Sequence, residues 1–189
     1  MNDVFDYLGQ LHALSPPLKA YLEKTLKPRQ YEKNSFLLQE GEVCNKVWYL
    51  RKGLVRSFYY QKDHEITTWF MDEGHALLAT KSFFDRLKSH YYIEALEPCD
   101  TYYLEYPDVL YALEHYAEAM DIRTKVSDFY ANLIVQRVRA TSVLNAIDKY
   151  HYLEKHFPYL IGRVSLKYIA SYLDMDVRTL TRIRHDRHP

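Results

Sequence analysis

Two hydrophobic periods divide this chain. Between Tyr31 and Tyr106 the apolar residues fall in short alternating segments, 35–38, 47–50, 54–60, 65–70, 91–96 and 101–106, which is the period of half-buried strands. Glu40-Gly41-Glu42, Lys52-Gly53, Lys62-Asp63-His64 and Glu97-Pro98 punctuate them, and that spacing predicts an antiparallel sandwich or barrel. On either side the period lengthens to that of helices. Residues 3–26 predict two helical pieces, with Ser15-Pro16-Pro17 ending the first and opening the second, to cap the strands. Residues 107–116 predict a short helix, and 117–140 a longer one with Ile122, Val126, Phe129, Leu133 and Ile134 on a stripe. Twenty-four residues span roughly 36 Å at about 1.5 Å each. A helix longer than the strands need for cover, with an apolar seam, predicts pairing with a second copy through Ile122, Val126, Phe129 and Leu133. Residues 143–157 predict a further amphipathic helix, stopped by Pro158.

The last stretch, 165–187, carries the candidate chemistry. Leu166, Ile169, Ala170 and Leu173 recur at helical spacing, the pattern breaks at Asp174-Met175-Asp176, and it resumes with Val177, Leu180 and Ile183. Two short helices joined by a tight turn follow, Asp176 capping the second by accepting its unpaired N–H groups. Val177, Leu180 and Ile183 are expected to face inward, leaving Arg178, Thr179, Thr181, Arg182 and Arg184 outside. A short helix with one buried stripe and an Arg/Thr outer face suits the DNA major groove.

Charge agrees with that placement. The formal net charge is zero, yet from Arg137 onward there are ten Lys/Arg against five Asp/Glu, so the preceding part is net acidic. Only the C-terminal part suits a polyanion. Hydrophobic content of 48% and charged content of 26% are those of a soluble folded chain. An acidic N-terminus and no membrane-length apolar run predict a cytoplasmic protein with no membrane partner. Cys44 and Cys99 are too few for a disulfide framework and read as small buried residues. No H-E-x-x-H, G-x-S-x-G or phosphate-binding glycine loop occurs. No catalytic residue, metal ligand or cofactor is therefore assigned, and the chain is read as a non-enzyme.

The final two helices resemble the helix-turn-helix of bacterial regulators, with small Ala170 at the helix crossing and Leu180 at the packing position, and with Asp174 where such turns usually carry Gly. The run from Leu37 to Arg56, L-L-Q-E-G-E-V-C-N-K-V-W-Y-L-R-K-G-L-V-R, resembles the start of the cyclic-nucleotide-binding jelly roll, Gly41 and Gly53 falling on its turn glycines. In that order, with the long helix between, the parts are similar to the Crp/Fnr superfamily of transcription regulators over residues 25–187. The resemblance implies an α+β fold: a jelly-roll sensor barrel with its N-terminal helices over 1–116, a dimerisation helix over 117–140, and a helix-turn-helix domain over 141–189. It implies a homodimer reading a palindromic double-stranded operator, with RNA polymerase as a candidate further partner. Arg178 and Arg182, one turn apart near the helix start, are expected to do most of the base reading, although the family carries an Arg-Glu pair where Val177 and Arg178 stand and only Thr179 and Arg182 match it. Thr179 and Thr181 would contact phosphate or a thymine methyl, and Arg163, Ser165 and Lys167 would hold the DNA backbone.

Nucleotide-binding members hold their ligand with a Gly-Glu pair and, about ten residues on, an Arg-Ser or Arg-Thr pair. Counting back from Glu94-Ala95-Leu96-Glu97-Pro98-Cys99, Leu78-Ala79 stands for the first and Ser89-His90 for the second. Leu78, Ala79, Thr80, Lys81, Ser89 and His90 thus outline a degenerate pocket expected not to take cyclic AMP. Lys81, Arg86 and Lys88 keep the segment basic, and the effector is either an unidentified small molecule or absent. The chain ends at Pro189 directly after the second helix, so no β-hairpin wing is expected to follow. A second reading arises there: a ligand-sensing module whose helix-turn-helix does not read DNA.

Overall fold

The computed structural model describes residues 1–142 and 145–186, and the backbone alone at Ala140. It is an α+β fold of two compact units, one comprising Met1–Ser57 with Phe70–Phe129, the other Phe58–Trp69 with Tyr130–Pro189.

In the first unit, α1 (Asn2–Leu11) and α2 (Pro16–Thr25) precede the strands, and the Ser15 side chain caps α2 by accepting the Leu18 N–H. Along the chain the strands are β1 (Lys27–Tyr31), β2 (Phe36–Leu38), β3 (Lys46–Lys52), β4 (Val55–Gln61), β5 (His64–Met71), β6 (His75–Leu77), β7 (Tyr92–Ala95) and β8 (Cys99–Glu105), of which the β4–β5 hairpin from Phe58 to Trp69 belongs to the second unit. They form two four-stranded sheets, ordered β1-β8-β3-β6 and β2-β7-β4-β5, the jelly-roll arrangement expected. Trp48, Leu50, Leu54, Val55, Leu77, Phe83, Ile93 and Ala95 are buried. The Trp48 indole N–H donates to the Tyr31 hydroxyl at 2.9 Å. Val4, Leu18, Leu22, Leu26, Tyr49, Ala112 and Ala119 make a second cluster, so the N-terminal helices do cap strand surface.

Two strands were not legible in the period. β1 is an edge strand with Pro28 and one buried residue out of five, and an edge strand tolerates a missing N–H. β6 has three residues, too few to show alternation. The Lys62-Asp63 pair joins β4 to β5 with φ of 47° and 64°, as a two-residue hairpin twisting with its strands requires. Gly53 has φ 111°, and a Cβ there would stand 2.6 Å from Cys99 Sγ and 2.9 Å from the Pro98 carbonyl oxygen; only glycine fits.

After α3 (Thr80–Asp85) and α4 (Tyr106–His115), the long helix α5 runs over Ala117–Ser142 and crosses from the first unit to the second. The next helix, α6, is Ala146–His156, capped by the Asn145 side chain; the expected start at Val143 lies outside the described residues. Pro158–Leu160 is one 3₁₀ turn, so the segment 159–164 supplies no strand. The helices α7 (Leu166–Tyr172) and α8 (Val177–His185) complete the second unit around Tyr150, Leu153, Leu160, Ile169, Ala170, Leu173 and Leu180. No described helix is long and apolar enough to cross a membrane.

Candidate nucleic-acid interface

The turn between α7 and α8 follows from Asp174, which takes φ 51°. The Met175 N–H donates to the Ala170 carbonyl at 3.0 Å and the Asp174 N–H to that of Ser171 at 3.4 Å, a Schellman stop that serves the last carbonyls of α7. Asp tolerates this left-handed position because its short polar side chain bonds locally. The nearly buried Lys149 of α6 reaches across to donate its Nζ to the Asp174 carbonyl at 3.3 Å. Asp176 then opens α8, its carboxylate accepting the Arg178 N–H at 2.7 Å.

Leu180 and Ile183 fasten α8 to the unit, as their spacing predicts. Val177 does not face inward. It is 39% exposed, because at the first position of α8 it lies past the edge of the stripe that Leu180 and Ile183 bury. Arg184, expected outside, is half-buried beside the Tyr150 phenol, whose pKa is raised by burial first and by Glu154 next, with Arg184 opposing. The outer face of α8 is therefore Val177, Arg178, Thr181 and Arg182, continuing to His185 and Asp186 around a shallow open groove. Among the described residues neither Arg178 nor Arg182 pairs with a carboxylate. Thr179 is half-buried on the flank, and the Thr181 hydroxyl donates to the Val177 carbonyl at 2.8 Å.

At α7, Ser165 is exposed at the N-cap and its side chain makes no capping bond. Arg163 is half-buried just before it. Lys167 is exposed, but its Nζ lies 3.7 Å from the Glu65 carboxylate of the β4–β5 hairpin. That hairpin is held one turn further along: the Thr67 N–H donates to Ser171 Oγ at 2.9 Å, and the Ser171 hydroxyl donates to the Glu65 carbonyl at 2.7 Å. No sequence signal marks Ser171, because its partners lie about a hundred residues earlier.

In the first unit the outlined pocket residues part company. Leu78 is buried, Ala79 is the N-cap of α3, and Thr80, Lys81 and His90 are exposed. Ser89 is buried, its hydroxyl donating to the Tyr91 carbonyl at 2.9 Å and accepting the Tyr91 N–H. Arg86 is committed elsewhere. Its guanidinium donates to the Cys44 and Phe83 carbonyls and to Asn45 Oδ1, and stacks 3.9 Å from the Tyr106 ring centroid. Cys44 and Cys99 are free and buried, and burial pushes the Cys99 thiol up to about 11.

The candidate seam on α5 divides as well. Ile122 packs against the N-terminal cluster, and Phe129 stacks on His75 at 5.0 Å, while Val126 and Leu133 are half-buried. Further along the helix Ile134 and Val135, each 64% exposed, and Val138, 55% exposed, stand outside, as Met120 does near its start.

Residues 28–116 match the cyclic nucleotide-binding domain family. No curated protein matches the chain. Among solved structures, FixK2 from Bradyrhizobium japonicum is similar with a TM-score of 0.76 at 15% identity, over 86% of this chain and 84% of that one. A transcriptional regulator of the Crp/Fnr family from Eubacterium rectale gives 0.78 at 13%, over 96% and 88%. The c-di-GMP-responsive global regulator CLP from Xanthomonas campestris gives 0.70 at 14%, over 92% and 93%.

Proposed function

We propose, from a chain that carries a cyclic nucleotide-binding domain within the fold of Crp/Fnr regulators, that it is a DNA-binding transcription regulator acting as a homodimer. The observation that carries the reading is the outer face of α8, where Arg178 and Arg182 stand exposed one turn apart on a helix fixed at its start by Asp176. Guanidinium groups so spaced suit the O6 and N7 acceptors of guanine in the major groove. Ser165 and Lys167 at the start of α7 supply backbone contacts, with Arg163 before them. A two-fold dimer then favours a palindrome whose half-sites lie about one helical turn, roughly 34 Å, apart. Selection from random DNA by the purified protein is expected to enrich such a palindrome. Arg182→Ala is expected to cost about 1–3 kcal/mol on the enriched site and to relax one base position. Selection that enriches nothing, with a nonspecific probe bound as tightly, returns the chain to a sensor that does not read DNA.

The ligand pocket is read as degenerate. With Leu78 and Ala79 where a nucleotide would need Gly and Glu, Ser89 engaged by Tyr91 and Arg86 engaged by Cys44, a cyclic phosphate meets none of the charge-assisted bonds that are worth roughly 1.5–3 kcal/mol each. Calorimetric titration with cyclic AMP or cyclic GMP is expected to give no saturable heat. Micromolar binding of either would overturn the reading and direct attention to Lys81 and Lys88.

A further inference from the structure

The groove on α8 holds a feature that arginine alone does not explain. Val177 stands at the first helical position with 39% of its surface exposed, although a β-branched apolar side chain gains nothing from water. One turn on, Thr181 donates its hydroxyl proton to the Val177 carbonyl at 2.8 Å, which removes that hydroxyl as a donor toward any ligand. Four residues separate the two, so their branched carbons lie on one face of the helix. Arg178 and Arg182 flank them, while His185 and Asp186 line the far end of the groove. The end nearest Val177 thus combines apolar branches with cations, and the far end carries a carboxylate that phosphates repel.

We infer that Val177 and the γ-methyl of Thr181 form an apolar step that receives the 5-methyl group of a thymine in each half-site, beside the guanine that an adjacent arginine reads. The chemistry is selective because thymine alone among the four bases presents a methyl group in the major groove. This inference rests on α8 being the base-reading helix. It adds the identity of a base that neither arginine specifies.

The test uses the full-length protein and the palindrome enriched by selection, with symmetry-related thymines replaced by deoxyuridine one position at a time, which removes only the methyl group. Anisotropy titration is expected to show one position at which replacement weakens binding about three- to tenfold. In Val177→Ala the penalty at that position should vanish. Thr181→Ser, which keeps the hydroxyl and deletes the methyl, should shrink it, and Thr181→Val should enlarge it. Circular dichroism of each variant checks that the helices persist. If every deoxyuridine is silent while Arg182→Ala still weakens the site, the methyl step is wrong and α8 remains the reader. If Thr181→Ser keeps the full penalty and Val177→Ala does too, the methyl is read by another element. If Arg182→Ala changes nothing on any sequence, the reading of α8 itself fails and takes this inference with it.

Discussion

Ile134→Asp/Val138→Asp is expected to leave the subunit folded and to abolish its self-association. The two side chains lie four residues apart on α5, 64% and 55% exposed, with Val135 beside them at 64%. Such a stripe contributes nothing to its own subunit's core, so replacing it should leave the circular dichroism of the chain unchanged. Against a second copy related by two-fold symmetry, each burial of an aliphatic side chain is worth about 1.5–3 kcal/mol, and two aspartates per subunit replace that gain with buried like charges. Sedimentation at tens of micromolar should give dimers of the wild-type chain and monomers of the double variant. Affinity for the palindrome should fall toward that for an isolated half-site. Phe129→Asp is a different experiment, because Phe129 stacks on His75 within its own unit and its loss should lower stability before it touches pairing. A double variant that stays dimeric places the interface away from this stripe; a wild type that sediments as a monomer removes the dimer altogether.

That division of α5 shows where sequence reading stops. Periodicity finds an apolar face, and α5 has apolar residues at helical spacing along both 122–133 and 134–138. What periodicity lacks is the identity of the neighbour, and here Ile122 and Phe129 of the first set meet the chain's own residues while Ile134, Val135 and Val138 meet water. The same limit explains Val177. Its spacing from Leu180 and Ile183 is that of a buried stripe, but the core ends before the first position of α8, so burial tracks the boundary of the unit rather than the helical period.

The local chemistry that the sequence made legible has its partners near in sequence. The Asp176 cap, the Asp174 turn, the Ser15-Pro16-Pro17 break between α1 and α2 and the turn at Lys62-Asp63 each depend on residues within a few positions, and each forms as its residue types dictate. Ser171 and Arg86 depend on Glu65, Thr67, Cys44 and Asn45, tens of residues away, and no local pattern announces them. For Arg86 the difference changes function: in sequence it is one of three cations available to an anion, and in the fold it is a latch on backbone carbonyls.

A second long-range pair gives the largest expected stability effect. Arg56 on β4 and Glu94 on β7 lie on adjacent strands, 1% and 7% exposed, with Nε 2.7 Å from Oε2. Desolvating both ions opposes their attraction, so the pair's net contribution is small, but removing one partner exposes the full cost of the other. Glu94→Ala is expected to destabilise the first unit by about 3–5 kcal/mol, a large share of the roughly 5–15 kcal/mol by which a domain is stable. Glu94→Gln should cost less, since its amide oxygen still accepts from Nε. Arg56→Met/Glu94→Leu, which removes both charges at similar volume, should return close to the wild type. Urea unfolding followed by Trp48 fluorescence in a Trp69→Phe background reports the first unit, because Trp48 belongs to it and Trp69 to the second. If the double substitution is as damaging as Glu94→Ala, the strands need the ion pair itself, and desolvation is the smaller of the two effects.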